Sequence, residues 1–321
     1  MTKAYFSCII YLIADLSLGL IKRSNEIIMY ELIQAAENSY YINCPSKIGV
    51  VKISDTDVCL IDSGNNRDAG KKAAKILNEN GWKLKAIYNT HSHADHIGGN
   101  AYLASQTGCK IYSPGIECAF TRHPILESAY LYGAYPPSDL RHKFLLAEES
   151  SAEYLTRDAL PEGFELIELP GHFFDMIGIK APDGAFYIAD ALSSKETLEK
   201  YGIGVIYDVA AYLDTLEKLK TAEAKIFIPS HAEPTENISD LAQYNIDKVH
   251  EVADRILSLT ASPLSFEDIL QKLFDEYSLT MSFEQYALVG STVRSYLAWL
   301  KDTGKISAHA DKNKLLWQKY N

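Results

Sequence analysis

Short apolar runs separated by turn residues dominate the first half of the chain, and helical spacing takes over toward its end. Tyr30-Glu31-Leu32-Ile33, Ser39-Tyr40-Tyr41-Ile42, Ile48-Gly49-Val50-Val51-Lys52-Ile53 and Asp57-Val58-Cys59-Leu60-Ile61 are each of strand length, which predicts hairpins from Met29 onward. Helical spacing follows over 67–80, with Gly81 as its stop. Further strand-length runs end at Tyr88, Leu169, Ala189 and Pro229. Past Pro234 the spacing predicts one helix over 240–259, a second opened by the capping box Ser265-Phe266-Glu267-Asp268, and a third over about 282–301. Gly304 closes the third, and Lys305-Ile306-Ser307 with Lys314-Leu315-Leu316-Trp317 flank a turn at Asp311-Lys312-Asn313. Three helices and a hairpin make a winged-helix-like module.

The ends of the later apolar runs carry the chemistry. After Tyr88 comes Thr90-His91-Ser92-His93-Ala94-Asp95-His96, with three imidazoles and a carboxylate in six residues. A packed interior gains nothing from polar rings side by side, whereas a divalent transition metal binds neutral imidazole and carboxylate readily. Side chains alternate along an extended backbone, so His91 and His93 point to one side and can share an ion. Asp95 and His96 fall where a helix begins, with Gly98 and Gly99 allowing a tight bend, and can reach a second ion. Two ions need more ligands than this loop holds. His172, Asp190 and His231 stand at the ends of three other apolar runs, as expected when a rigid sheet holds functional loops.

The ordered set His91, His93, Asp95, His96, His172, Asp190 and His231 resembles that of the metallo-β-lactamase superfamily, over roughly residues 29–240. The resemblance implies an α/β fold, an αββα sandwich of two mixed sheets with helices outside and the metals in a shallow cleft at one edge. It also implies His91, His93 and His172 on one ion, Asp95, His96 and His231 on the other, and Asp190 bridging. The expected cofactor is a pair of divalent ions, zinc first, with iron or manganese also compatible with these donors. The implied reaction is hydrolysis of a small ester, thioester or lactone by a metal-bridging hydroxide, similar to glyoxalase II and lactonases, with Asp95 or Asp190 orienting the hydroxide. Alternatives are a phosphodiesterase or nuclease of the same superfamily, and a mononuclear-iron enzyme similar to persulfide dioxygenases that uses mainly His91, His172 and Asp190. A metal-sensing DNA-binding regulator is a further one.

Composition narrows these. The 321 residues, 47% hydrophobic, suffice for a catalytic domain over 29–238 and a smaller one over 239–321. A net charge of -11 argues against a polyanion-binding surface. From Asp240 onward nine Lys/Arg face eleven Asp/Glu, too few cations for duplex DNA, so packing or homodimer formation is expected there instead. Five cysteines without a C-x-x-C pair fit a reducing cytoplasm. Residues 5–14 are apolar behind Lys3, but Asp15 interrupts them and no clear cleavage site follows, so 1–28 reads as an extension and no membrane partner is expected.

Other side chains are candidates for supporting roles. Asp62 ends a strand run and can accept a hydrogen bond from a ligand histidine, or act as a turn residue before Gly64. Asp175, three residues after His172, can do the same, or cap a helix. The insertion over about 114–163 is rich in aromatics and prolines, which places substrate recognition on Tyr130, Tyr132 and Tyr135, together with Phe173 beside His172. His123, His142, His250 and His309 have no ligand-like neighbours in the sequence.

Overall fold

A computed structural model describes residues 30–320, so the extension over 1–28 lies outside the described residues. The chain divides into two compact units. One takes the described residues up to Leu169 with Asp175–Asp190 and Glu223–Asn237; the other takes Pro170–Phe174, Ala191–Ala222 and the residues from Ile238 onward.

The first unit holds two sheets. β1 (Glu31–Gln34), β2 (Ser39–Asn43), β3 (Ile48–Lys52) and β4 (Asp57–Ile61) form an antiparallel meander joined by short turns. β5 (Lys83–Tyr88), β6 (Lys110–Ser113) and β7 (Ala152–Tyr154) then add in parallel. Parallel pairing requires crossovers, which are supplied by α1 (Arg67–Glu79), by α2 (Ala94–Ile97) with α3 (Asn100–Thr107), and by α4 (Glu117–Arg122) with α5 (Ile125–Tyr132). In the second sheet β8 (Glu165–Glu168), β9 (Ile177–Lys180) and β10 (Ala185–Ala189) run antiparallel, and β11 (Ile226–Pro229) pairs in parallel with β10.

Strand alternation decides what each face buries. On the outer face of the large sheet Val50, Leu60, Ile87 and Ile111 pack with Ala73 and Leu77 of α1 and Leu103 of α3. Helix α1 starts where Asn66 accepts from the backbone of Asp68 and Ala69, a side-chain cap that satisfies two otherwise orphan donors. On the inner face Val51, Cys59, Ile61, Ala86 and Tyr88 meet Ile177, Ile179, Tyr187 and Ile228 of the second sheet. Each fully buried aliphatic side chain here stabilises the sandwich by roughly 1.5–3 kcal/mol.

The second unit contains α6 (Lys195–Tyr201), α7 (Val209–Lys220), α8 (Ser239–Leu259), α9 (Phe266–Glu276) and α10 (Phe283–Asp302), then the hairpin of β12 (Ile306–Asp311) and β13 (Lys314–Lys319). The capping box at Ser265 and Asp268 is formed, and Lys312 and Asn313 both take positive φ, as a two-residue hairpin turn requires. Unlike the boundary expected at 238/239, α6 and α7 group with these C-terminal helices. The cause is the buried amide of Asn245 on α8, which bonds both backbone groups of Ser193 and accepts from the Tyr212 hydroxyl on α7. Among the described residues no helix is long and apolar enough to cross a membrane.

Candidate metal centre

Two parallel strand pairs deliver their following residues to neighbouring positions. Ile61 of β4 lies opposite Tyr88 of β5, so Asp62 emerges beside Asn89 and Thr90. Ala189 of β10 lies opposite Pro229 of β11, so Asp190 emerges beside Ser230 and His231. The carboxyl ends of parallel strands are where open α/β sheets hold ligands.

In the first unit His96 Nε2 lies 3.3 Å from Asp190 Oδ1 and 3.5 Å from Asp95 Oδ2. His231 Nε2 lies 3.2 Å from Asp95 Oδ2 and 3.3 Å from Asp190 Oδ2. The opposite nitrogens are already committed, His96 Nδ1 to Asp62 Oδ2 at 2.8 Å and His231 Nδ1 to the Pro45 carbonyl at 2.9 Å. Both partners are acceptors, so Nδ1 carries the hydrogen on each ring and the Nε2 lone pair faces carboxylate oxygens. Acceptor facing acceptor in a buried site requires a cation between them, either a proton or a metal ion. Atoms sharing one ion at about 2.1 Å stand roughly 3.0–3.5 Å apart, which these separations match.

The charge balance agrees. Burial opposes ionisation of Asp95 and Asp190, yet the adjacent His96 and His231 rings hold both carboxyls well below the usual range. Burial likewise opposes charge on His96, but Asp190, Asp95 and Asp62 drive its pKa well above the ordinary imidazole value. The pocket is built to hold positive charge.

His91 Nδ1 lies 3.1 Å from the Thr90 hydroxyl, which itself donates to Asp62 and therefore accepts from the ring. Its Nε2 approaches His93 Nδ1 to 3.1 Å, which brings two imidazole nitrogens together. Ligand atoms of His91, His96 and Asp190 lie within 4.8 Å of one another, as do those of Asp95, His96 and His231. In the second unit His172 is buried, with Nδ1 2.9 Å from the Val205 carbonyl, so Nδ1 carries the hydrogen. Its loop is held by Tyr207 and Asp208, whose amides donate to the Gly171 carbonyl.

Two glutamates that sequence reasoning missed grip the metal loop from behind. Glu117 of α4 accepts from the amide and hydroxyl of Ser92 and from the amide of Asp175. Glu127 of α5 accepts from the amide of Ala94. The two amides flank His93. The only trace of this in the sequence is that each glutamate sits among apolar neighbours. Burial pushes the Glu117 carboxyl up to about 7 against the lowering pull of Ser92. A carboxyl whose folded pKa is raised favours folding at low pH, an advantage complete below 4.5 and lost as pH rises through about 7. In chelator-treated protein, Glu117→Gln is therefore expected to remove a stability difference of about 2–3 kcal/mol between pH 5 and pH 8, read from urea unfolding. An unaltered pH dependence counts against a raised carboxyl.

Several expectations need correction. The Asp175 carboxylate receives the Ile116 amide at 2.7 Å, just ahead of α4, and does not serve a histidine. Phe173, 2% exposed, packs edge-on against Phe174 and near Tyr207. Tyr130 is partly exposed, and Tyr132 and Tyr135 lie on the surface, Tyr135 receiving a hydrogen bond from Arg141. Gly98 and Gly99 have ordinary helical φ, so bending is not their role. A Cβ on Gly98 would meet the Asn65 backbone at 2.5 Å and one on Gly99 would run into the Ser63 carbonyl; the metal loop needs both glycines for close approach to the Asp62 loop.

A model of the metallo-beta-lactamase superfamily matches residues 41–231. The hydroxyacylglutathione hydrolase of Methylococcus capsulatus is 29% identical over 159 residues, 48% of this chain and 50% of that protein. The atrochrysone carboxyl ACP thioesterase of Aspergillus fumigatus is 24% identical over 190 residues, 59% of this chain and 51% of that protein. The chain thus spans about half the length of these curated relatives. Among solved structures, a beta-lactamase domain protein from Burkholderia ambifaria aligns with a TM-score of 0.71 at 16% identity, covering 91% of this chain and 94% of that one. A metallo-beta-lactamase family protein from Thermus thermophilus aligns at 0.66 and 15% identity, covering 90% and 98%. Both share the fold.

Proposed function

Because the chain belongs to the metallo-β-lactamase superfamily, we propose that it hydrolyses a small thioester or ester with two divalent ions, zinc being the best fit to its donors. The observation that carries this reading is the convergence of His96 and His231 lone pairs on the Asp95 and Asp190 carboxylates. In this reading Asp95, His96 and His231 hold one ion, Asp190 reaches both, and His91 and His93 hold the other, which follows the superfamily pattern. Ions bound there supply Lewis acidity to a carbonyl oxygen and acidify bound water, down to roughly 7 on zinc.

The protein's own contribution is order. Asp62, Pro45 and Val205 fix the tautomers of His96, His231 and His172 so that each presents Nε2. Asp95 and Asp190, held ionised, are the groups able to accept a hydrogen bond from an attacking water and so orient it. The presence of Asp95, His96 and His231 in one cluster favours two ions over a single iron. Thioesters come first because both relatives bear thioesterase-type names. The acidic overall charge disfavours nucleic acid as substrate.

Metal analysis of purified protein is expected to find about two ions per chain. A panel of thioesters, lactones and phosphodiesters, assayed before and after chelation, tests the reaction. Thioester turnover lost on chelation and restored by zinc supports the proposal; one iron per chain, or turnover of phosphodiesters alone, overturns it.

A further inference from the structure

The loop between β2 and β3 brings to the centre a hydroxyl that the seven-residue ligand pattern does not contain. Ser46 is 2% exposed, and its Oγ lies 2.6 Å from Asp95 Oδ2, 3.2 Å from His231 Nε2 and 3.4 Å from His96 Nε2. Those three atoms are the ones assigned above to the second ion.

The position is built into the fold. The Lys47 amide donates to the Ser230 carbonyl at 3.2 Å, and Lys47 Nζ donates to the Ala232 carbonyl at 2.8 Å. The Cys44 thiol donates to the Ser46 carbonyl, and the Pro45 carbonyl receives His231 Nδ1. Residues 44–47 are thereby clamped around His231 from both sides of the serine.

Atoms that share an ion at about 2.0–2.2 Å are separated by roughly 3.0–3.5 Å. Ser46 Oγ stands at that separation from both imidazole nitrogens, and closer to Asp95 only because its hydroxyl hydrogen-bonds to the carboxylate. It offers a further vertex around the point where the donors of Asp95, His96, His231 and Asp190 converge. A hydroxyl oxygen suits a borderline or hard divalent ion, and the bond to Asp95 strengthens as the ion acidifies the hydroxyl.

We propose that Ser46 Oγ is a ligand of the second ion, alongside Asp95, His96, His231 and the shared Asp190. This rests on the two-ion reading above. The direct test is the cobalt-loaded full chain. In Ser46→Cys, a thiolate at that vertex produces a sulfur-to-cobalt charge-transfer band in the near ultraviolet that wild-type protein lacks. The wild type is a fair baseline because the Cys44 thiol is turned to the carbonyls of Ile42 and Ser46. Ser46→Ala, followed by cobalt titration, is expected to weaken the second ion by at least about tenfold and leave the first unchanged.

Two cobalt ions in wild type with no new band in Ser46→Cys overturns the assignment of Ser46 while leaving the two-ion reading intact. A single cobalt in wild type defeats that reading, and this inference with it. A band that appears and disappears with the second equivalent of cobalt supports both.

Discussion

Asp190→Asn is expected to lower kcat/KM for the best thioester by about 10³-fold or more, the scale of loss when a group acting directly on the transition state is removed. Asparagine keeps the shape of the side chain and removes its charge. Asp190 directs Oδ1 at His96 and Oδ2 at His231, so losing its charge is expected to weaken the hold on the cation proposed between them. The fold also commits strain to this position: the register of β10 shifts between Tyr187 and Ala189, and Ala189 takes a φ of 51°. A non-glycine residue there costs on the order of 1–3 kcal/mol, tolerated where the surroundings fix it. The measurement is steady-state kinetics with metal analysis on the same preparation, alongside chemical unfolding of the chelated protein. Full activity with two ions bound would remove Asp190 from the centre.

What was legible in the sequence was what lies close along the chain. His91, His93, Asp95 and His96 are separated by so few residues that backbone geometry alone brings them together, and the strand runs leading to His172, Asp190 and His231 announce themselves by apolar length. The hairpins of the first sheet and the helices after Pro229 were equally readable, because amphipathic spacing and the capping box at Ser265 are local signals. The functional partners of the ligands were not local. Ser46 precedes Asp95 by 49 positions and His231 by 185, and a single serine in a turn carries no periodic signature.

Glu117 and Glu127 were hidden for a second reason. A carboxylate in a short helix reads as a solvated charge, and only the packed structure shows both turned inward onto the amides beside His93. The aromatics of the same insertion show the converse: Tyr135 is exposed and pairs with Arg141, since aromatic content records a capacity to pack and not a direction. The unit boundary was obscured because α6 and α7 fall between strands of the first unit in sequence, and yet Ser193 just ahead of α6 and Tyr212 of α7 bond Asn245 of α8.

Asp62→Asn is expected to weaken metal binding by about 10–100-fold, the usual cost of losing the carboxylate behind a ligand histidine. Asp62 is 2% exposed and accepts three hydrogen bonds, from the Thr90 amide, the Thr90 hydroxyl and His96 Nδ1. It also has a φ of 62°, where asparagine is tolerated almost as well as aspartate, so the substitution isolates charge from backbone strain. The amide can present only one oxygen. Either Nδ2 confronts the Thr90 amide, or it confronts the Thr90 hydroxyl and His96 pair; in both cases the imidazole loses the negative charge that makes it a stronger donor to metal. A buried donor left unmatched costs a further 1–3 kcal/mol or so of folding stability. Chelator competition gives the affinity and urea unfolding of the metal-free protein gives the stability. Asp62→Ala should be worse on the second measurement, because alanine adds the positive-φ penalty and leaves all three donors unsatisfied. Affinity within about twofold of wild type in Asp62→Asn would mean that His96 is held by packing and that the carboxylate behind it is dispensable.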